Sequence, residues 1–275
     1  MQGPHRIVRA GSSYVGWEAI DDAGRVRGFI LDQPEQPGRG RAGDWIADTP
    51  QVLTALYTEA ADAWTRAGYW THECVFPTGH TAERALLSLG FGHQQAYGKI
   101  PVQRPRADRS SDVQIRRGAD LDALLPRVPL IAKQQEQSPV FSPRSSQFFD
   151  ELEEGFREWA AGDDVVIFAH QASRTDRPAG YVALELTQNG PEIALMAVDP
   201  NRRGQGIGSA LLIEAHRWAS ARQYTQIRVD WRTANIQAEA FWFRAGAQST
   251  SSDGVVPSMV IRAERGDGGR PICTH

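Results

Sequence analysis

One segment limits the fold of this chain more than any other: Val198-Asp199-Pro200-Asn201-Arg202-Arg203-Gly204-Gln205-Gly206-Ile207-Gly208-Ser209. An apolar run at 193–198 leads into it, and an amphipathic run at 210–221 leaves it. This order predicts a β-strand, a glycine-rich loop and a helix N-terminus. Glycines permit positive φ and let a ligand come close to the backbone. Successive N–H groups in such a turn form a nest for anionic oxygens, and the helix start adds unpaired donors and the positive end of its dipole. Arg202 and Arg203 add fork-shaped cations. The segment is expected to hold an anion such as the pyrophosphate of a cofactor, through Arg203, Gly204, Gln205, Gly206, Ile207, Gly208 and Ser209.

Two common phosphate loops do not fit. The dinucleotide fingerprint G-x-G-x-x-G is absent, because the glycines at 204, 206 and 208 are spaced G-x-G-x-G, and Asp230 is the sole acidic ribose partner at a suitable distance. The P-loop requires a lysine that does not follow here. A ligand-free connection would not need three glycines and two arginines in seven residues, since each glycine costs chain entropy unless its φ is used.

The pattern Arg203-x-x-Gly206-x-Gly208 resembles the R/Q-x-x-G-x-G/A acetyl-CoA loop of the GNAT superfamily of N-acetyltransferases. Upstream, Glu192-Ile193-Ala194-Leu195-Met196-Ala197-Val198 resembles that family's fourth strand. Downstream, Asn235-x-x-Ala238-x-x-Phe241-Trp242-x-x-x-Gly246-Ala247 resembles its N-x-x-A-x-x-F-Y-x-x-x-G-F segment. The three matches occur in the family's order over 192–247, and the strand pattern extends the likeness to 113–263. The resemblance implies acetyl-CoA as cosubstrate and no metal. It also implies a pantetheine arm running back along Val198, Ala197 and Met196, beside a strand splayed by a bulge. Asn235 would bond that arm, cap the following helix, or do both.

A faint internal repeat accompanies this. Trp64, Ala67 and Val75 stand 154 residues before Trp218, Ala221 and Val229, and Ala82 and Gly90 stand 156 before Ala238 and Gly246. The expected fold is α/β (α+β), with two tandem GNAT-like domains, each a mixed, mostly antiparallel sheet flanked by helices. The first, 1–104, is a degenerate copy: a hairpin at 14–19 and 25–31, a helix at 50–67, a strand at 72–76, a helix at 81–89 and a strand at 94–102. After a polar linker, 103–112, the second copy at 113–265 carries the acetyl-CoA site. It comprises a strand at 113–116, a helix at 120–127, an irregular stretch at 128–147, a helix at 147–160 and a hairpin at 165–170 and 180–187. Then come a strand at 192–198, a helix at 206–221, a strand at 226–232, a helix at 236–244 and a strand at 256–262. The glycine-rich tail 266–275 is expected to be disordered. The first copy has only Ala47-Asp48-Thr49-Pro50 before its helix, where Asp48 would repel phosphate. Gly38-Arg39-Gly40-Arg41 precedes its strand and reads as a hairpin or loop.

Composition excludes several classes. The chain has no run of about 18 apolar residues to span a membrane. Its net charge of −3 gives no footprint for nucleic acid. Cys74 and Cys273 cannot build a disulfide framework, and no apolar leader opens the chain, so a reducing cytoplasm is expected. A monomer or homodimer acting on a small-molecule amine is the expected state.

Strict alternation along 192–198 places Glu192, Ala194, Met196 and Val198 on one face. Glu192 stands where several GNAT enzymes carry a catalytic glutamate on this strand, so the resemblance implies a general base there; equally, it reads as a solvated strand-start residue. Asp230 is a second candidate base, or a group that binds a cationic substrate or faces solvent. The family's tyrosine position holds Trp242, whose indole N–H cannot give up a proton. Either another group, for which His170, Tyr181, Tyr224 and His216 are candidates that each also fit a packing or surface role, or water then protonates the thiolate, or proximity alone serves. The resemblance implies acetyl transfer to a primary amine of a small molecule, such as an amine antibiotic or metabolite. The alternatives are a non-catalytic acyl-CoA-binding or regulatory protein and a protein or peptide N-acetyltransferase.

Overall fold

The computed structural model describes residues 6–9, 15–32, 39–69, 71–75, 82–103, 113–118, 120–137, 139–140, 142, 144–171, 178–248, 258–262, 264–265 and 271–272. In chain order the elements are β1 (Arg6–Arg9), β2 (Gly16–Ile20), β3 (Val26–Asp32), β4 (Arg39–Ala47), α1 (Pro50–Arg66), β5 (Thr71–Val75), α2 (Glu83–Ser88) and β6 (Gly92–Pro101). There follow β7 (Gln114–Arg117), α3 (Leu121–Leu124) with a tight turn Leu125–Arg127, α4 (Leu130–Gln135), α5 (Ser146–Ala160), β8 (Val165–Gln171), β9 (Gly180–Thr187) and β10 (Gly190–Val198). Then come α6 (Ile207–Ala221), β11 (Gln226–Arg232), α7 (Ile236–Arg244) and β12 (Ser258–Arg262). The chain divides into two compact units, residues 1–96 with 250–275 and residues 97–249. By this division the end of β6 falls in the second unit and β12 falls in the first.

In the first unit the strands run β1-β2-β3-β4-β5-β12, followed by the start of β6. Pairing is antiparallel except between β4 and β5. Helix α1 starts at Thr49, whose hydroxyl accepts from Val52 N–H, with Pro50 in the first turn. Its apolar stripe, Val52, Leu53, Leu56, Ala60 and Trp64, is buried with Trp17, Ile30, Leu86 and Phe91. Trp64 Nε1 donates to the Asp32 carboxylate at 2.9 Å, so the one polar atom of that indole is satisfied. The segment around Arg39–Arg41, expected as a hairpin or loop, lies inside β4, because Arg39 to Ala42 pair in parallel with Thr71 to Cys74. Gly38 lies outside the described residues.

In the second unit the order is β6-β11-β10-β9-β8-β7; β7 to β10 pair antiparallel in turn, and β10 pairs with β11 in parallel. One sheet face carries Ile167, Ala169, Tyr181, Ala183 and Ala197, buried under Leu124, Leu125, Val128 and Phe156 of the α3–α5 region. On the other face a Cβ at Gly180 would lie 3.1 Å from the Val198 side chain and 3.2 Å from that of Ile207, so α6 covers that side. The stretch 128–147, expected to be irregular, contains α4. Its six residues are too few for periodicity to show. Most of the linker 103–112, and the tail outside Pro271–Ile272, lie outside the described residues. Pro271–Ile272 pairs with Glu264–Arg265.

Candidate functional site

The loop after β10 begins with Asp199, whose carboxylate accepts from Asn201 N–H at 3.0 Å and so closes a turn. The same carboxylate takes Arg127 NH1 at 2.8 Å, and Arg127 Nε donates to the Pro178 carbonyl at 2.8 Å. Asp199 N–H donates to the Ala179 carbonyl. The start of the loop is therefore tied to the β8–β9 connection. Gly204 and Gly206 have φ of +75° and +79°, values that side-chain-bearing residues rarely adopt, and Gly206 is the residue that opens α6. No side chain caps this helix, in contrast to α1. Among the described residues, no backbone group accepts from the N–H groups of Gly204, Gln205, Gly206, Ile207, Gly208 or Ser209; the first internal bond is Ala210 N–H to Gly206 C=O. Six N–H groups around a helix start thus have no described backbone acceptor, and a Cβ at Gly204 or Gly206 would meet nothing within 4 Å. This is the chemistry a diphosphate requires, so the residues present fit acetyl-CoA. Arg203 bonds Gln134 of α4 at 2.6 Å and Gln237 of α7 at 3.0 Å, and Arg202 Nε bonds Gln205 at 2.9 Å.

β10 leads from this cradle to the candidate acid–base groups. It pairs with β11 at Glu192↔Arg228 and Ile193↔Val229, and no ladder pair joins the two strands beyond that point among the described residues. Backbone groups of β10 from Leu195 to Val198 on that edge are consequently available to an extended ligand. The register against β9 shifts between Ile193↔Leu184 and Leu195↔Ala183, so Ala194 is the extra residue of a bulge. This bulge corrects the expected alternation. Opposed residues share a face, so Glu192 (opposite Glu185) lies with Leu195 and Ala197, and Met196 and Val198 lie on the other side. Met196 packs toward Gly208 and Phe241, where a Cβ at Gly208 would lie 3.4 Å from the Phe241 ring and 3.7 Å from the Met196 methyl.

Glu192 is half-buried, with Oε2 3.5 Å from Arg228 Nε. Two residues along β11, Asp230 shares that face and is the first β11 residue past the last pair. Burial first, and the Glu192 charge second, push the Asp230 carboxyl up from 3.8 to about 6, against the opposing pull of Arg232. Asn235 caps α7, its side-chain oxygen accepting from Ala238 N–H at 3.1 Å.

The candidates for the acid lie elsewhere. Trp242 is buried, edge-on to Phe241. Tyr181 is fully buried beneath Phe156, and desolvation raises its phenol far above the usual range. Tyr224 stacks on Trp218. His216 is buried on α6, and its pKa is lowered by burial. His170 takes the Ala179 N–H on Nδ1 at 3.4 Å, and its pKa is lowered by burial and then by the Arg202 charge. Sequence reasoning missed Arg127 and Gln134. Neither carries a local signal, because each reaches the loop from a distant point in the chain. Among the described residues no group of three or more His, Cys, Asp or Glu side chains could hold a metal ion, and no helix is long and apolar enough to cross a membrane.

Residues 132–247 match the acetyltransferase (GNAT) family model. No curated protein matches in sequence. Among solved structures the chain resembles a GCN5-related N-acetyltransferase from Sphaerobacter thermophilus, with TM-score 0.60, 13% identity, 90% of this chain and 80% of that one. It also resembles a tandem GNAT protein from the clavulanic acid biosynthesis pathway, with TM-score 0.55, 13% identity, 93% of this chain and 84% of that one. A third likeness is to a conserved protein of unknown function from Staphylococcus epidermidis, with TM-score 0.57, 16% identity, 86% of this chain and 91% of that one. The chain has the GNAT-superfamily acetyltransferase fold in two tandem sheet-and-helix domains, one of which matches the family's acetyltransferase model.

Proposed function

We propose that the protein transfers the acetyl group of acetyl-CoA to a primary amine of a small molecule, using one site in residues 97–249. The observation that carries this reading is the row of six N–H groups without a described backbone acceptor from Gly204 to Ser209, at the end of a strand that parts from its neighbour. Those amides and Arg203 would hold the diphosphate, and the open edge of β10 at Met196, Ala197 and Val198 would take the pantetheine amides. When bound, acetyl-CoA supplies a thioester carbon open to attack by an amine. Asp230, beside the fork of β10 and β11, takes the proton of the incoming ammonium. A carboxylate near 6 is ionised at neutral pH and is a stronger base than an ordinary aspartate. Glu192, held by Arg228, supplies the negative charge that helps keep Asp230 basic. Asn235 orders the start of α7 beside Gln237, the partner of Arg203.

The test is thiol release from acetyl-CoA across a panel of primary amines. Amine-dependent release supports transfer. Saturable acetyl-CoA binding without release on any amine would instead identify an acyl-CoA-binding protein. Release with peptide N-termini alone would move the acceptor from small molecules to polypeptides.

A further inference from the structure

We propose that Tyr97, carried by β6, is the general acid of this transfer, its phenol protonating the sulfur that leaves as Asp230 takes the proton of the amine. The inference rests on the reading of the site as an acetyl-CoA-dependent transferase. It supplies the proton donor that Trp242 cannot be. β6 adjoins β11 in the sheet, and Val102 N–H donates to the Thr225 carbonyl at 2.8 Å. Further along, a Cβ at Gly98 would lie 3.1 Å from the Trp231 ring and 3.6 Å from the Val229 side chain. As β6 numbers fall, β11 numbers rise, so the two strands are antiparallel. Counting from Val102 opposite Thr225 sets Gly98 opposite Val229 and Tyr97 opposite Asp230. Ala96, Gly98 and Ile100 therefore face the buried side with Val229 and Trp231, and Tyr97 and Lys99 turn to the face of Asp230.

Directly opposed side chains have Cβ atoms about 5 Å apart, and diagonal neighbours about 7–8 Å away remain within reach of an aromatic ring. Tyr97 can thus lean over β11 toward the fork where β10 departs. The charged groups sharing this face are Lys99 of β6, Arg228, Asp230 and Arg232 of β11, Glu192 of β10 and Glu185 of β9. The step balances. Asp230 first passes one proton of the ammonium to water; the neutral amine nitrogen then bonds the acetyl carbon and gives its second proton to Asp230, the carbon–sulfur bond breaks, and the sulfur electron pair takes the phenolic proton. The proton on Asp230 then returns to the phenolate, and both groups are restored.

The test compares the full chain with its Tyr97→Phe variant, which removes one oxygen and keeps the ring. The variant should lose about 100-fold in kcat, the scale of general acid catalysis, with the KM for acetyl-CoA within about twofold. Its kcat profile should also lose the alkaline limb. Replacing Tyr97 with 3,5-difluorotyrosine should move that limb to lower pH, a change that a packing role would not produce. Turnover by the unaltered protein with a Tyr97→Phe kcat within about threefold, or an alkaline limb that neither substitution moves, overturns the role of Tyr97 alone. No thiol release by the unaltered protein on any amine overturns the transferase reading itself.

Discussion

At Asp230 two requirements oppose each other, and the conflict is measurable. A carboxyl raised from 3.8 to about 6 binds its proton more tightly in the folded chain than in the unfolded one. Its ionised form therefore costs stability, and the cost grows as pH rises from about 4 through 6. Asp230→Asn should accordingly raise the melting temperature at pH 7 and above and give no gain at pH 4. Two pKa steps of about 1.4 kcal/mol each set an upper bound of about 3 kcal/mol on the effect. The same substitution should lower kcat by about 100-fold or more, and the acid limb of the native profile should fall near pH 6. A variant that is both more stable and fully active would contradict the assignment. The sequence pointed to Glu192 and Asp230 as residue types but mistook the face of one of them. Alternation is readable from sequence, whereas a bulge at Ala194 is decided by pairing with β9 and leaves no mark in the residues themselves. Tyr97 was passed over for the same kind of reason: its neighbour Asp230 lies on a strand far away in the chain.

Among the elements, the two corresponding helices differ in how they begin. α1 satisfies its first turn internally, with the Thr49 hydroxyl on Val52 N–H and Asp48 paired to Arg27 at 2.9 Å. α6 opens on Gly206 with no side-chain cap, and its first N–H groups have no described backbone acceptor. Thr49→Ala should therefore cost about 1 kcal/mol in chemical denaturation and leave the CoA affinity unchanged. Arg127 should behave in the opposite way. It ties Asp199 to Pro178, so Arg127→Met should weaken CoA binding by about tenfold, or about 1.4 kcal/mol, in calorimetric titration while the acid limb of kcat stays in place. The helices, the hairpins and the glycine loop were legible because their signals are local: a cap, a two-sided pattern, a run of glycines. α4 was not, since six residues between Pro129 and Ser138-Pro139 hold too little periodicity.

For the whole molecule, the repeat was readable and the membership of its last strands was not. β6 and β12 hold equivalent places in the two copies, yet the end of β6 joins β11 and β12 joins β5. Both strands suit either neighbour by pattern, so the choice belongs to long-range pairing, which propensity does not encode. A chain ended at Ser249 would leave the β5 edge unpaired. It should melt at a lower temperature and self-associate, as judged by scanning calorimetry and light scattering. In the proposed function one copy alone holds the cofactor, through the Gly204–Ser209 amides. Titration of CoA into the intact chain and into Gly206→Asp tests it most directly, since the substitution places a carboxylate at a φ of +79° inside the cradle. The native chain should bind one equivalent and the variant none. Two equivalents, or binding that survives Gly206→Asp, would contradict it.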